Sequence, residues 1–140
     1  MFSGLFQTTY QKISFEDLQY ALNRVETFII INTLPVVEQD CLIKNTISYQ
    51  MEEKCINELM NQYDFKSRKF IIYGKNAVDE SVDKKYKQLI SLGFTEVYIY
   101  SGGLFEWMLL QDIYGNDEFP TTHKVLDILK YKPLRTFGHY

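Results

Sequence analysis

Cysteine and proline are scarce in this chain, at two and three residues. That excludes a disulfide framework and a proline-rich linker. No apolar run extends beyond a few residues, so nothing is long enough to cross a bilayer as a helix. Basic charge is not in excess either. Fifteen Lys and Arg face eighteen Asp and Glu, a formal net charge of −3, which argues against a nucleic-acid binder that works by broad phosphate neutralisation. Internal repeats and low-complexity tracts are absent, and the seven glycines fall singly apart from Gly102-Gly103. Met1 to Tyr10 shows no basic stretch followed by an apolar one. No secretory leader is therefore expected, and a reducing, cytoplasmic setting is.

What is present describes a globular domain. The 140 residues suit one domain at roughly 100–200 residues each. Hydrophobic residues make up 46% and charged residues 24%, so the chain can build a core without metal or disulfide and is not disordered. Three short β-branched and aromatic runs read as buried strands: Phe28 to Ile31, Phe70 to Tyr73, and Val97 to Tyr100. Continuous rather than alternating apolarity is what a parallel sheet covered on both faces requires. Weaker strands are expected at Gln11-Lys12-Ile13 and Thr46-Ile47-Ser48.

Helices are expected between the strands. Met51, Cys55, Ile56, Leu59, Met60 and Tyr63 recur at helical spacing, as do Val82, Tyr86, Leu89 and Ile90, with Gly93 placed to stop the second helix. Phe15 to Arg24, opened by Ser14 with Asp17 three residues on, and Leu104 to Tyr114 are two more. The expected fold is α/β, with a mostly parallel central sheet of about five strands and helices on both faces.

In such a sheet ligands bind beyond the carboxyl ends of the strands. Here that place is the loop Gly74-Lys75-Asn76-Ala77-Val78-Asp79-Glu80-Ser81. Leu92-Gly93-Phe94, the strand Val97 to Tyr100, then Gly102-Gly103 with Glu106-Trp107 form a closing motif. With Phe28 to Asn32, Cys41 to Ile47 and Ile72-Tyr73 ahead of it, the stretch from about residue 12 to 114 resembles a rhodanese-like (sulfurtransferase) domain. That fold is shared with the dual-specificity cell-cycle phosphatases. The resemblance divides the chain into a rhodanese-like domain with a short N-terminal arm over 1–114 and a C-terminal extension over 115–140, expected to pack on the same domain. Asn32 to Pro35 and Cys41 to Ile47, in a chain rich in Ile, Lys, Tyr and Asn, resemble divergent members carried by large DNA viruses. An infected host cell or a virion is then the implied location.

The resemblance implies a cysteine thiolate at the first position of the loop, with backbone amides and a basic residue holding an anion. This sequence has Gly74 at the cysteine position and Asp79, followed by Glu80, where the basic residue is expected. Glycine offers no nucleophile. Two carboxylates oppose an anionic substrate, each by about 4 kcal/mol at about 4 Å and an effective dielectric near 20. Asn32 and Leu34 replace the family's Asp and Arg. A structural role accounts for the acids equally well: Asp79 can cap a helix beginning near Glu80, and Glu80 suits its positive end. Gly74 reads as the tight exit from a strand.

The remaining nucleophiles are few. Cys55 lies in the apolar stripe of its helix and reads as buried and inert. Cys41, in a connecting segment, is less constrained and is the alternative nucleophile, although only Lys44 lies near it in sequence. His123 and His139 have no ligand partners at suitable spacing, so no metal site is expected. Ser81 lacks a nucleophile elbow, and Trp107 reads as core. From Asp112 into the extension, Asp112, Asp117 and Glu118 precede Lys124, Lys130, Lys132 and Arg135, with Asp127 among them. Val125, Leu126, Ile128 and Leu129 suggest a short amphipathic helix packed on the domain or on a partner. The expectation is a catalytically inactive rhodanese-like domain acting as a protein-binding or regulatory module, with no cofactor, no metal, no nucleic acid and no membrane. Its rivals are a persulfide carrier using Cys41 and a homodimeric structural protein.

Overall fold

Residues 9–138 are described by the computed structural model. Most of the Met1 to Tyr10 segment, together with His139 and the terminal Tyr140, lies outside them. Strand periodicity decides the layering, because successive side chains point to opposite faces of a sheet. In β2 (Phe28–Asn32), β3 (Lys69–Tyr73) and β4 (Val97–Tyr100), one face carries Ile30, Ile71, Tyr73 and Tyr100, and the other Ile29, Ile31, Phe70, Ile72, Val97 and Ile99. Both sets are buried, which is why the strands read as unbroken apolar runs.

With the two-residue strand β1 (Lys12–Ile13), the sheet runs β1-β4-β3-β2, and every pair is parallel. Ile30 stands opposite Ile71, and Ile72 opposite Ile99. The described residues thus form four strands rather than about five. Thr46 makes only an isolated parallel bridge to Ile30. The chain there has no room for more, since Asn45 turns at φ +68° and Ser48 already caps the next helix through the Met51 amide.

Among the described residues four α-helices cover the sheet. α1 (Phe15–Ala21) carries the expected capping box between Ser14 and Asp17. It stops short of Arg24, whose guanidinium folds back to 3.6 Å over the Tyr20 ring. α1 and α4 (Gly103–Tyr114) pack one face through Leu18, Ala21, Leu104 and Trp107. α2 (Tyr49–Asn61) and α3 (Glu80–Ser91) pack the other through Leu59, Val82, Tyr86 and Leu89. Gly93, at φ +110°, supplies the left-handed turn that ends α3. No helix among the described residues is long and apolar enough to cross a membrane.

The residues after Gly115 form a strap bonded to the domain. Thr121 bridges Ile43 in antiparallel fashion, Thr122 N donates to Leu42 O at 2.8 Å, and Trp107 Nε1 donates to Pro120 O at 3.1 Å. Among the described residues two 3₁₀ turns complete the fold, η1 (Val36–Glu38) and η2 (Ile128–Tyr131). η2 replaces the amphipathic helix expected over Val125 to Leu129. Val125, Ile128 and Tyr131 turn inward at three-residue spacing, which suits a 3₁₀ turn rather than an α-helix. Pro133 and the uncapped start at Asp127 keep it short.

Phe119 joins the strap to the core, its ring 5.0 Å from that of Trp107 and 5.6 Å from that of Phe15. Phe119→Ala is expected to lower stability in urea unfolding by about 3–5 kcal/mol, the usual range for a buried Phe. A loss under about 1 kcal/mol would show that the strap adds little to the core.

Candidate functional site

β3 ends at Tyr73 and α3 begins at Glu80, so the loop between them sits at the carboxyl end of the sheet. Its shape is set by Asp79. As the cap of α3, Asp79 accepts from Ser81 N through Oδ1 at 3.0 Å, and the same oxygen accepts from Ser81 Oγ at 2.6 Å. Its other oxygen, Oδ2, reaches back across the loop and accepts from Lys75 N at 2.9 Å. The carboxylate therefore lies inside the loop, held by amides from both ends. Charge-assisted bonds of this kind contribute about 1.5–3 kcal/mol each.

Gly74 is a consequence of that position. A Cβ at Gly74 would stand 2.5 Å from Asp79 Oδ2 and 2.6 Å from Val82 Cγ2. Gly74 is the tight exit from β3, and since it is not among the residues with positive φ, conformational freedom is not what makes it glycine. Space is. The expectation of two acids repelling ligands at the loop mouth also changes. Asp79 fills the hollow, while Glu80 stays exposed in the first turn of α3.

The rest of the loop is tied down on several sides. Leu104 N donates to Gly74 O and Phe105 N to Lys75 O, both at 2.9 Å, so the start of α4 bonds to the loop. Gly103, at φ +68°, permits that approach, since a Cβ there would lie 2.8 Å from Gly74 O. Asn76 is buried; its Oδ1 accepts from Val78 N, and its Nδ2 donates to Tyr131 O of the strap at 2.9 Å. Lys75 Nζ pairs with Glu38 Oε1 at 2.9 Å. Ala77 and Val78 are exposed at the tip. Ser81 Oγ is bonded to Thr33 Oγ1 at 2.8 Å as well as to Asp79, and among the described residues no histidine is bonded to it. Beside the loop, a small cleft is lined by Tyr10, Lys12, Asp79, Asp83 and Tyr100.

Cys41 is fully buried, which bears on the alternative that made this less constrained thiol the nucleophile. Residues 121–123 of the strap cover it, and Sγ donates to His123 O at 3.1 Å. Burial pushes this thiol's pKa up, the opposite of what an activated nucleophile needs. Cys55 is half-buried rather than sealed in the core, and burial raises its pKa too, partly offset by Arg68. His123 is exposed, its Nδ1 3.3 Å from Thr122 Oγ1. Among the described residues no three His, Cys, Asp or Glu gather as a metal site would require.

Sequence reasoning overlooked Tyr73, whose buried hydroxyl donates to or accepts from Thr46 Oγ1 at 2.7 Å and accepts from Ile43 N at 3.1 Å. Burial raises its pKa. A tyrosine closing an otherwise aliphatic strand was the available signal. The bond from Asn76 to Tyr131 spans 55 positions and left no local trace.

Gly74→Ala is expected to lower the thermal midpoint, at a cost of about 1–3 kcal/mol for overpacking. Adding Asp79→Ala should remove part of the new clash, so the two effects should be less than additive. A Gly74→Ala variant as stable as the parent in thermal unfolding would show that the carboxylate does not occupy the hollow.

A family model described as Rhodanese-like domain matches residues 16–110. Among solved structures, the chain is similar to the Alr3790 protein from Anabaena sp. at 24% identity and TM-score 0.56, covering 84% of this chain and 97% of that one. It is similar to the single domain sulfurtransferase RDL2 of Saccharomyces cerevisiae at 15% identity and TM-score 0.56, covering 81% and 98%. It is also similar to Ygr203w, a yeast protein tyrosine phosphatase of the Rhodanese family, at 15% identity and TM-score 0.58, covering 87% and 99%. No curated protein sequence matches the chain.

Proposed function

The chain belongs to the rhodanese-like family, and we propose that it is a member without catalysis, a protein-binding or regulatory module on a sulfurtransferase-type fold. One observation carries the reading: the Asp79 carboxylate, bonded to Lys75 N and Ser81 N, lies in the hollow where the family resemblance would put a thiolate and its anionic substrate. Gly74 has no side chain to attack with, and none can be added without meeting Asp79 or Val82.

Energetics support the same conclusion. An oxyanion entering the loop would have to displace charge-assisted bonds to Asp79 or sit beside its carboxylate. The second course costs about 4 kcal/mol at about 4 Å and an effective dielectric near 20, roughly a thousandfold in affinity. Cys41 does not substitute for the missing nucleophile, because it is buried under the strap with a raised pKa. Use of the domain then moves to its surface, with a protein as the partner. A cytoplasmic setting and a large-DNA-virus origin belong to the same proposal, supported by the Asn32 to Pro35 and Cys41 to Ile47 stretches and by a composition rich in Ile, Lys, Tyr and Asn.

The test is transfer of sulfur from thiosulfate to cyanide by the purified chain. The expected rate equals that of the buffer alone. Turnover that survives replacement of both Cys41 and Cys55 would contradict the proposal, and turnover abolished by Cys41→Ser would establish the persulfide carrier instead.

A further inference from the structure

The strap does more than seal Cys41. Val125, Ile128 and Tyr131 anchor it inward, and Asn76 Nδ2 holds Tyr131 O. Leu126 and Leu129 between these anchors, and Leu134 and Phe137 beyond the last of them, face out. Leu126 and Leu134 are each 90% exposed and Phe137 is 84% exposed, with Leu129 beside them at 60%. Single exposed apolar residues are ordinary. Here four fall between Leu126 and Phe137, and the backbone from Val125 to Tyr131 is held to the domain on its other side, so Leu126 and Leu129 at least are displayed rather than collapsed.

Charge separates this segment from the rest of the molecule. Residues 124–138 hold Lys124, Lys130, Lys132 and Arg135 against the single Asp127, a net of +3 in a chain of net −3. The other residues hold eleven Lys and Arg against seventeen Asp and Glu. A basic, apolar ridge on an acidic body attracts a ligand of the opposite character and orients it during approach.

Resting on the reading of the chain as a binding module, we propose that this ridge is the docking surface, and that its partner is a protein segment in which acidic residues alternate with apolar ones. Leucine and phenylalanine side chains would enter the partner's apolar contacts, while the flanking cations meet its carboxylates. A flat anionic bilayer fits less well. Asp40 stands 3.9 Å from Lys130 at the edge of the ridge and Glu38 pairs with Lys75 nearby, so a planar negative surface would press against these acids, whereas a narrow peptide can avoid them.

The experiment selects a displayed library of short random peptides on the full-length chain. Recovered sequences should combine Asp and Glu with Leu, Ile or Phe. Their synthetic versions should shift backbone amide resonances mainly within 124–138, and binding should weaken as salt rises. The double variant Leu126→Ser with Leu134→Ser should lose about tenfold or more in affinity. Both residues are exposed, so the variant's thermal midpoint should match the parent's. Neutral or basic recovered sequences, or acidic peptides that bind the double variant equally well, would overturn the proposal. So would binding of phosphatidylserine vesicles in place of peptides, or a dimer in light scattering that the double variant loses, which would assign the ridge to a bilayer or to a second copy. None of these results depends on the loop. Sulfur-transfer activity would remove the non-catalytic reading and leave peptide binding standing, and absent peptide binding would do the reverse.

Discussion

The Asp79 carboxylate, gripped by Lys75 N near one end of the loop and by Ser81 N and Oγ at the other, is the contact from which the character of this molecule follows. Amides gathered at the end of a parallel sheet, ahead of a helix, attract negative charge whatever its source. Here the chain supplies that charge itself, one residue before the helix starts. The same group caps α3, closes the loop, and occupies the volume that a side chain at position 74 would need. Capping and blocking are thus one interaction, and a substitution that reopened the hollow would also remove the helix cap.

Around this turn the protein adds contacts from distant elements. α4 donates its first amides to the carbonyls of Gly74 and Lys75, η1 offers Glu38 to Lys75, and the strap accepts from Asn76. Most of these bonds join well-separated stretches of sequence, so they form only once the two cores on either face of the sheet have assembled. A loop held this way has little freedom to admit a ligand by induced fit. The strap, which also covers Cys41 and contributes Phe119 and Tyr131 to the core, is as much a part of the domain as the strands.

Local patterns revealed what local physics controls. Three strands stood out because burial on both faces leaves no polar alternation, and the Ser14–Asp17 box, the Asp79 cap and the Gly93 stop were visible because each is settled within a few residues. The position of the loop at the carboxyl end of the sheet was legible as well. The reason for Gly74 was not, because a glycine needed for space looks the same in sequence as one needed for a turn. Asp79 was read as a cap, yet its second bond, to Lys75 N, depends on the curvature of the loop. The depth at which Cys41 lies was hidden for a related reason. Its neighbours in sequence say nothing about residues 121–123, which come to lie over it. Thr46 lost its strand because the turn at Asn45 and the cap at Ser48 left it no length.

The family fold is present here, and the proposed function rests on the Asp79 carboxylate holding the loop amides against a competing anion. Titration of the isotopically labelled chain with sulfate, followed at the backbone amides of Lys75 and Ser81, tests that most directly. If the carboxylate already satisfies them, these two resonances stay in place as millimolar sulfate is added, apart from the small, unsaturable drift of ionic strength. Saturable shifts of both would mean that the hollow is open to ligands and that Asp79 is not its occupant.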